Sequence, residues 1–221
     1  MTTKTEKVSG VKAHTRYKNK KGEIVPGVTT VLGLLSKPQL VKWANNLGLQ
    51  GIDSSKYVDK MASIGTLAHY MVECYLTKTS QDLTAYSPEE IDKAENALIS
   101  FFEWERQYEI EPLGNEMRLL SEEFGYGGTV DFYCKINGKF NLVDFKTGKA
   151  IYNEHIIQLA AYRQLLVENG YPVQEVRILR IGRTEEEGFE ERKETNLLNH
   201  WLLFSHLLEV HKLQKLIKRG A

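Results

Sequence analysis

"GGTVDFYCKINGKFNLVDFKTGK", residues 127–149, decides how this chain is read. At its centre Asn137-Gly138 is a strong two-residue hairpin signal. A type I′ turn needs positive φ at both central positions, which Asn and Gly tolerate best. Strand-like alternation runs outward on both sides. If Ile136 and Lys139 flank the turn, pairing outward places Asp131 opposite Asp144. The two form a non-hydrogen-bonded pair, with Cα atoms about 4.5 Å apart. Like charges directly opposite one another destabilise a sheet. Lys146, two residues beyond Asp144, projects from the same face. Burying charges is costly without compensation, and a divalent cation relieves the carboxylate repulsion. Oxygen ligands suit a hard ion such as Mg²⁺ or Mn²⁺. The competing account is an ordinary ion pair, Asp144 with Lys146, and a turn-proximal Asp131. The register also assumes that no β-bulge shifts the pairing by one.

In bulk the chain is ordinary, with 221 residues, 42% hydrophobic, and zero net charge. Neutrality argues against a general nucleic-acid coat, but the charge is uneven. Lys4, Lys7, Lys12, Arg16, Lys18, Lys20 and Lys21 face only Glu6 in residues 1–21, and Lys212, Lys215, Lys218 and Arg219 crowd the C-terminus. Solvated tails are the usual account of such runs. The sharper one is two basic ends that touch phosphates around an acidic centre that holds cations. No run of about eighteen apolar residues exists, so no membrane span is expected. The start lacks the apolar core of a secretory signal, and the expected location is the cytoplasm. Cys74 and Cys134 lack metal-ligand spacing and are expected to be buried, reduced thiols.

Residues 1–21 read as a basic flexible arm and 22–221 as one domain, with helices over about 37–110 and the core over about 111–221. "KPQLVKWANNLG" looks helical, with Gly48 as its stop, and a second helix is expected over 64–77. Ser87-Pro88-Glu89-Glu90 is a capping box with proline at the first helical position, opening a helix to about Tyr108. "EMRLLSEEFGYGGTVDFYCKINGKFNLVDFKTGK" reads as a three-stranded meander. "NEHIIQLAAYRQLLVENG" is an amphipathic helix ending at Gly170. "VQEVRILRIGR" and "FEERKE" are paired strands, and a long helix closes the chain. This order predicts an α/β (α+β) fold, a central mixed sheet flanked by helices with an N-terminal helical region.

The meander and the helix after it resemble the PD-(D/E)XK nuclease superfamily, specifically its RecB-like exonuclease branch. In that pattern a Gly-Gly/Gly-X-X-Asp strand precedes Asp-X-Lys and then a helix with Gln-X-X-X-Tyr. Here these are Gly127-Gly128-Thr129-Val130-Asp131, Asp144-Phe145-Lys146 and Gln158 with Tyr162. Upstream, "GTLAHYMVE" at 65–73 is similar to the branch's histidine helix. The resemblance covers roughly residues 24–180. Val130 stands where the name of the superfamily has proline, and the cysteines of the iron–sulfur members are absent.

The resemblance implies a restriction-endonuclease-like core and an Mg²⁺- or Mn²⁺-dependent deoxyribonuclease. Asp131, Asp144 and Lys146 would be catalytic, and His69, Asp131, Asp144 and the backbone carbonyl of Phe145 would hold the metal. An ammonium beside a cation is pushed toward its neutral form, so Lys146 would deprotonate or align a water, or stabilise charge on the phosphate. Glu73 shares a helix face with His69 and is either its orienting partner or a solvated acid. Glu116 is either an acid near the metal or an exposed strand-end residue. Gln158 and Tyr162 are placed near the DNA backbone, against a plain capping-and-core reading. Lys149 and Arg163 are candidate phosphate contacts. Tyr126 is a candidate base-stacking platform or a core residue. The implied activity is DNA exonuclease, in phage or bacterial recombination or repair, on single-stranded DNA or linear double-stranded ends. A recombination or single-strand-binding protein is the expected protein partner. Two alternatives stand: a restriction- or repair-type endonuclease on the same fold, and a catalytically inert DNA-binding partner.

Overall fold

The computed structural model describes residues 16–220. In chain order the elements are β1 (Tyr17–Lys18), β2 (Ile24–Val25), α1 (Val28–Leu32), α2 (Pro38–Leu49), α3 (Ser54–Thr77), α4 (Pro88–Glu105), β3 (Ile110–Ser121), β4 (Tyr126–Ile136), β5 (Lys139–Lys146), α5 (Asn153–Glu168), β6 (Glu175–Ile181), β7 (Phe189–Glu194) and α6 (Leu198–Lys218). Asn137 and Gly138 adopt φ of 50° and 79°, the positive pair a type I′ turn requires. The β4–β5 ladder then runs without a bulge from Ile136–Lys139 to Phe132–Val143. One step beyond lie Asp131 and Asp144, as counting from the turn predicts.

β3 to β7 form one sheet in sequence order. Every neighbouring pair is antiparallel except β5–β6, which is parallel and bridged by α5. A parallel pair needs such a crossover, whereas antiparallel neighbours need only turns. Helices cover both faces, giving the mixed α/β, restriction-endonuclease-like architecture. One core cluster joins α1, α5 and α6 through Val31, Leu159 and Phe204 to Leu142 and Ile178. The other joins α3 and α4 through Met71, Phe101 and Trp104 to Val143, Phe145 and Leu179. Successive residues of β5 therefore enter opposite cores, as strand geometry demands. That is why the buried middle of β5, Asn141 to Phe145, is mostly apolar, and why a charged Asp144 within it stands out.

Helix boundaries differ from expectation where a local signal was overlooked. The capping box at Ser87–Glu90 is present, though α4 ends at Glu105 rather than near Tyr108. α3 begins ten residues earlier than expected, because the Asp53 carboxylate accepts from the Ser55 and Lys56 N–H groups and caps the helix there. α2 runs through Gly48 to Leu49, and the chain turns only at Gly51, φ 74°. Residues 16–21, expected at the end of an arm, form the first strand and the turn of the β1–β2 hairpin. The lysines at 4, 7 and 12 lie outside the described residues. Cys74 and Cys134 are both buried and unpaired, and burial pushes the Cys134 thiol up to about 12. Among the described residues no helix is long and apolar enough to cross a membrane.

The Gly127-Gly128 pair has a packing cause. A Cβ on Gly127 would sit 2.3 Å from Tyr17 Cγ, and one on Gly128 would sit 2.7 Å from Tyr162 Cε1 and 2.9 Å from Leu165 Cδ1. The Gly127 N–H also donates to Pro26 O at 3.0 Å, seating the β1–β2 hairpin on β4. Gly128→Ala overpacks the α5–β4 interface and is expected to cost about 1–3 kcal/mol. Denaturant titration measures it, and an unchanged midpoint would show that α5 has room to retreat.

Candidate metal centre

Three strands bring acids level with one another. Glu116 lies between the pairs Asn115–Phe132 and Met117–Val130 of the β3–β4 ladder, which sets it beside Asp131. Its φ of 46° is left-handed, a conformation that costs a non-glycine residue about 1–3 kcal/mol and clusters at functional sites. Asp131 Oδ2 accepts from the Phe145 N–H at 3.0 Å and lies 3.6 Å from His69 Nδ1. His69, Glu116 and Asp131 each offer one ligand atom, and these atoms lie within 4.8 Å of one another. His69 reaches the group from α3, its ring edge-on to Phe145 at 5.7 Å between centroids. α3 comes close because Gly65 has no side chain: a Cβ there would meet Thr147 Oγ1 at 2.8 Å.

Asp144 is 1% exposed, and among the described residues neither carboxylate oxygen has a polar partner besides the Lys146 ammonium. Its one close partner is Lys146 Nζ, 2.5 Å from Oδ2. A buried carboxylate whose one partner is a single ammonium is costly, because its other lone pairs go unsatisfied. Burial accordingly pushes its pKa up to about 6; Lys146 pulls it down and Asp131 pushes it up. Asp144 stands outside the His69–Glu116–Asp131 group, and its oxygens do not reach solvent; a hard cation held by those three would supply the positive charge its site lacks. Carboxylate oxygens and an imidazole nitrogen around it suit a divalent ion, so the residues present fit one.

The shift has a consequence for stability. The folded protein holds the Asp144 proton more tightly than the unfolded chain does. Its contribution is therefore fully present below pH about 4 and is lost as pH rises through about 6, on the order of 3 kcal/mol. In chelator, wild-type stability minus that of Asp144→Asn should fall across that window. A flat difference between pH 4 and 7 would contradict the burial argument.

Gln158 and Tyr162 share one face of α5 and line the same cleft, with Gln158 Nε2 donating to Tyr162 Oη at 2.8 Å. Burial, then the charges of Asp144 and Asp131, hold the Tyr162 hydroxyl well above its usual pKa, so it stays protonated beside the acids. His155, which sequence reasoning passed over, is kept neutral. Burial, then Lys146 and Lys37, draw it down to about 3, while its Nδ1 accepts from the Tyr152 N–H at 3.2 Å. Its signal was its place three residues into α5, where its ring reaches back to the N–H of the residue before the helix.

The remaining candidates fall elsewhere. Glu73 is half-buried one turn beyond His69 on α3 and is not among the cleft-lining residues. Lys149 is exposed past the end of β5. Arg163 is exposed and lines a separate hollow with Thr195 and Trp201. Tyr126 is fully buried, its hydroxyl donating to Ala161 O at 2.9 Å, so it offers no stacking surface. The cleft itself is open, about 770 Å³, and its lining includes Arg16 and Lys215 from the two basic ends of the chain, together with Tyr17 and Arg118, which were not anticipated.

The fold and site together define a restriction-endonuclease-like α/β protein with a candidate metal centre at the cleft floor. No family model and no curated protein matches the chain. Among solved structures it is similar to a Eubacterium rectale protein named as a candidate exonuclease, at 16% identity and a TM-score of 0.51, over 73% of this chain and 68% of that one. It also matches SSO0001 at 15% identity and a TM-score of 0.41, over 82% and 72% of the two chains. LHK-Exo, solved with dAMP, matches at 13% identity and a TM-score of 0.39, over 89% and 95%. The first likeness concerns the fold alone, and the other two are too distant to carry an argument.

Proposed function

We propose that this protein is a divalent-metal-dependent deoxyribonuclease that hydrolyses phosphodiester bonds, acting as an exonuclease. One observation carries the reading: the buried Asp144 carboxylate, 2.5 Å from Lys146 and otherwise without a polar partner among the described residues, near the His69–Glu116–Asp131 group. That is a costly arrangement for a fold to keep unless a cation and a phosphate compensate it. His69, Glu116 and Asp131 would hold the ion, with Asp144 and the Phe145 carbonyl additional candidate ligands. When bound, it supplies charge to a phosphoryl oxygen and makes a water easier to deprotonate. Lys146 Nζ, held at the cleft wall by Asp144, aligns the attacking water or neutralises charge growing on the phosphate. Asp131 keeps β4 and β5 in register through the Phe145 N–H, which fixes where Lys146 points. Gln158 and the protonated Tyr162 offer donors to the phosphodiester backbone. In-line attack would leave a 5′-phosphate and a 3′-hydroxyl.

The test is a gel of end-labelled single- and double-stranded linear DNA and of closed circles, with Mg²⁺, Mn²⁺ or chelator. Loss of linear DNA with either ion, none with chelator, and intact circles are expected. Linear DNA left intact under every condition would sink the nuclease reading, and cut circles would make the enzyme an endonuclease. Because one ligand is an imidazole, Mn²⁺ should half-saturate activity at a lower concentration than Mg²⁺. Removing that nitrogen in His69→Ala should narrow the gap, and an unchanged ratio would place His69 outside the shell.

A further inference from the structure

The cleft is lined by groups of opposite charge: Glu116, Asp131 and Asp144 with Lys146, and also Arg16 before β1, Arg118 on β3 and Lys215 on α6. In a chain of zero net charge, most clustered arginines here are neutralised. Arg177, Arg180, Arg183 and Arg192 all pair with glutamates. No ion pair or side-chain hydrogen bond of Arg16 or Arg118 is found among the described residues. Arg118 is exposed, and an exposed guanidinium gains little from a single surface carboxylate. It keeps its planar donor fork available for an anion, the geometry that suits phosphate oxygens.

Its position along the strand is informative. Arg118 pairs with Thr129, one two-residue step from Glu116 and Asp131. That step is about 7 Å along the sheet, similar to the distance between successive phosphates on an extended nucleic-acid strand. Thr129 Oγ1 and Tyr17 Oη hydrogen-bond each other at 2.9 Å, which leaves one hydroxyl proton for a ligand along the same part of the cleft. The β1–β2 hairpin, seated on Gly127, and the end of α6, where Lys215 Nζ lies 3.5 Å from Ile24 O, bring the other two cations alongside.

We propose that Arg118, with Arg16 and Lys215, forms a phosphate-binding subsite that seats the phosphodiester adjacent to the one held at the carboxylate group. This rests on the nuclease reading and adds to it a substrate requirement. The strand must present a second, negatively charged linkage one nucleotide from the cut. The subsite explains why a neutral protein can hold a polyanion beside three carboxylates: repulsion at the floor is offset one step away.

The experiment replaces single phosphates near the cleavage position with uncharged methylphosphonates, in wild type and in Arg118→Ala. Removing one partner of a charge-assisted hydrogen bond lowers kcat/KM by about tenfold or more. Wild type should lose about that much with the neutral linkage at one flanking position. Arg118→Ala should lose a similar factor on ordinary DNA, respond little to the neutral linkage, and keep its melting temperature. Arg118→Lys should recover part of the loss. Equal sensitivity of wild type and Arg118→Ala to every neutral linkage would overturn the subsite while leaving the nuclease intact. If wild type cuts nothing, binding of a 5′-phosphorylated dinucleotide decides separately. Arg118-dependent binding would keep the subsite without the nuclease, and Arg118-independent or absent binding would remove both.

Discussion

Lys146→Ala is expected to slow cleavage of a labelled oligonucleotide by about 10²- to 10⁴-fold in single-turnover kinetics with saturating Mn²⁺. DNA binding should stay close to wild type. Lys146 Nζ is the cation nearest the buried Asp144 carboxylate, and it lines the cleft floor. Removing it also leaves Asp144 buried without its ion-pair partner, so metal-free Lys146→Ala should unfold earlier than wild type at pH 7. Added Mn²⁺ should restore much of that stability without restoring activity. This split separates a chemical role from a structural one, since a purely structural lysine would recover both together. Lys146→Arg sharpens the result. A guanidinium keeps the charge but does not give up a proton, so Arg rescues charge stabilisation and fails to rescue proton transfer. Cleavage near the wild-type rate in Lys146→Ala would move the chemistry to another residue.

The largest expected loss of stability lies away from the cleft. Glu191 on β7 accepts from Trp104 Nε1 at 3.2 Å and Tyr108 Oη at 2.9 Å, and it pairs with Arg177 at 2.6 Å. Arg177 is 4% exposed, and its remaining partners are Asn141 at 2.8 Å and Glu175 at 2.8 Å. These contacts hold Glu191 below the usual carboxylate range against the opposing effect of burial. Glu191→Ala strips one side of a buried ion pair and orphans the Trp104 indole, a class of change that costs about 3–5 kcal/mol. Glu190→Ala is the control, because Glu190 is 46% exposed where it meets Arg180, and such pairs contribute about 1 kcal/mol or less. Denaturant unfolding followed by tryptophan fluorescence measures both. Equal losses for the two would mean that the Glu191 network adds nothing beyond a surface pair. The network matters to the cleft because Arg177 pairs with Val143 across β5–β6, one residue before Asp144.

Much of this was legible from residues close in sequence. The Asn137-Gly138 turn set the β4–β5 register, and with it the adjacency of Asp131 and Asp144, because a two-residue turn leaves one way to pair two alternating strands. The capping box at Ser87 and the end of α5 near Gly170 were equally local. The overlooked start of α3 was a local signal too, since Asp53 with Ser54 and Ser55 is a capping sequence. Arg163 lies off the cleft for a simple angular reason. It follows Tyr162 in α5, and neighbours on a helix point about 100° apart, so a residue beside a cleft-lining one faces elsewhere.

Turn chemistry and the two-residue strand period act over short spans, so the chain alone specifies the run of strands, the β4–β5 hairpin and the placing of Asp144 and Lys146 on one strand face. Which distant side chains join them follows from long-range packing. His69 arrives on α3 because Gly65 lets that helix approach Thr147. Glu116 stands level with Asp131 because β3 and β4 take one register out of several their sequences allow. Arg16 and Lys215 meet Arg118 across a cleft because the β1–β2 hairpin and α6 pack against β4 and α5. Such contacts depend on how whole faces bury apolar surface, and no spacing in the chain encodes their distances.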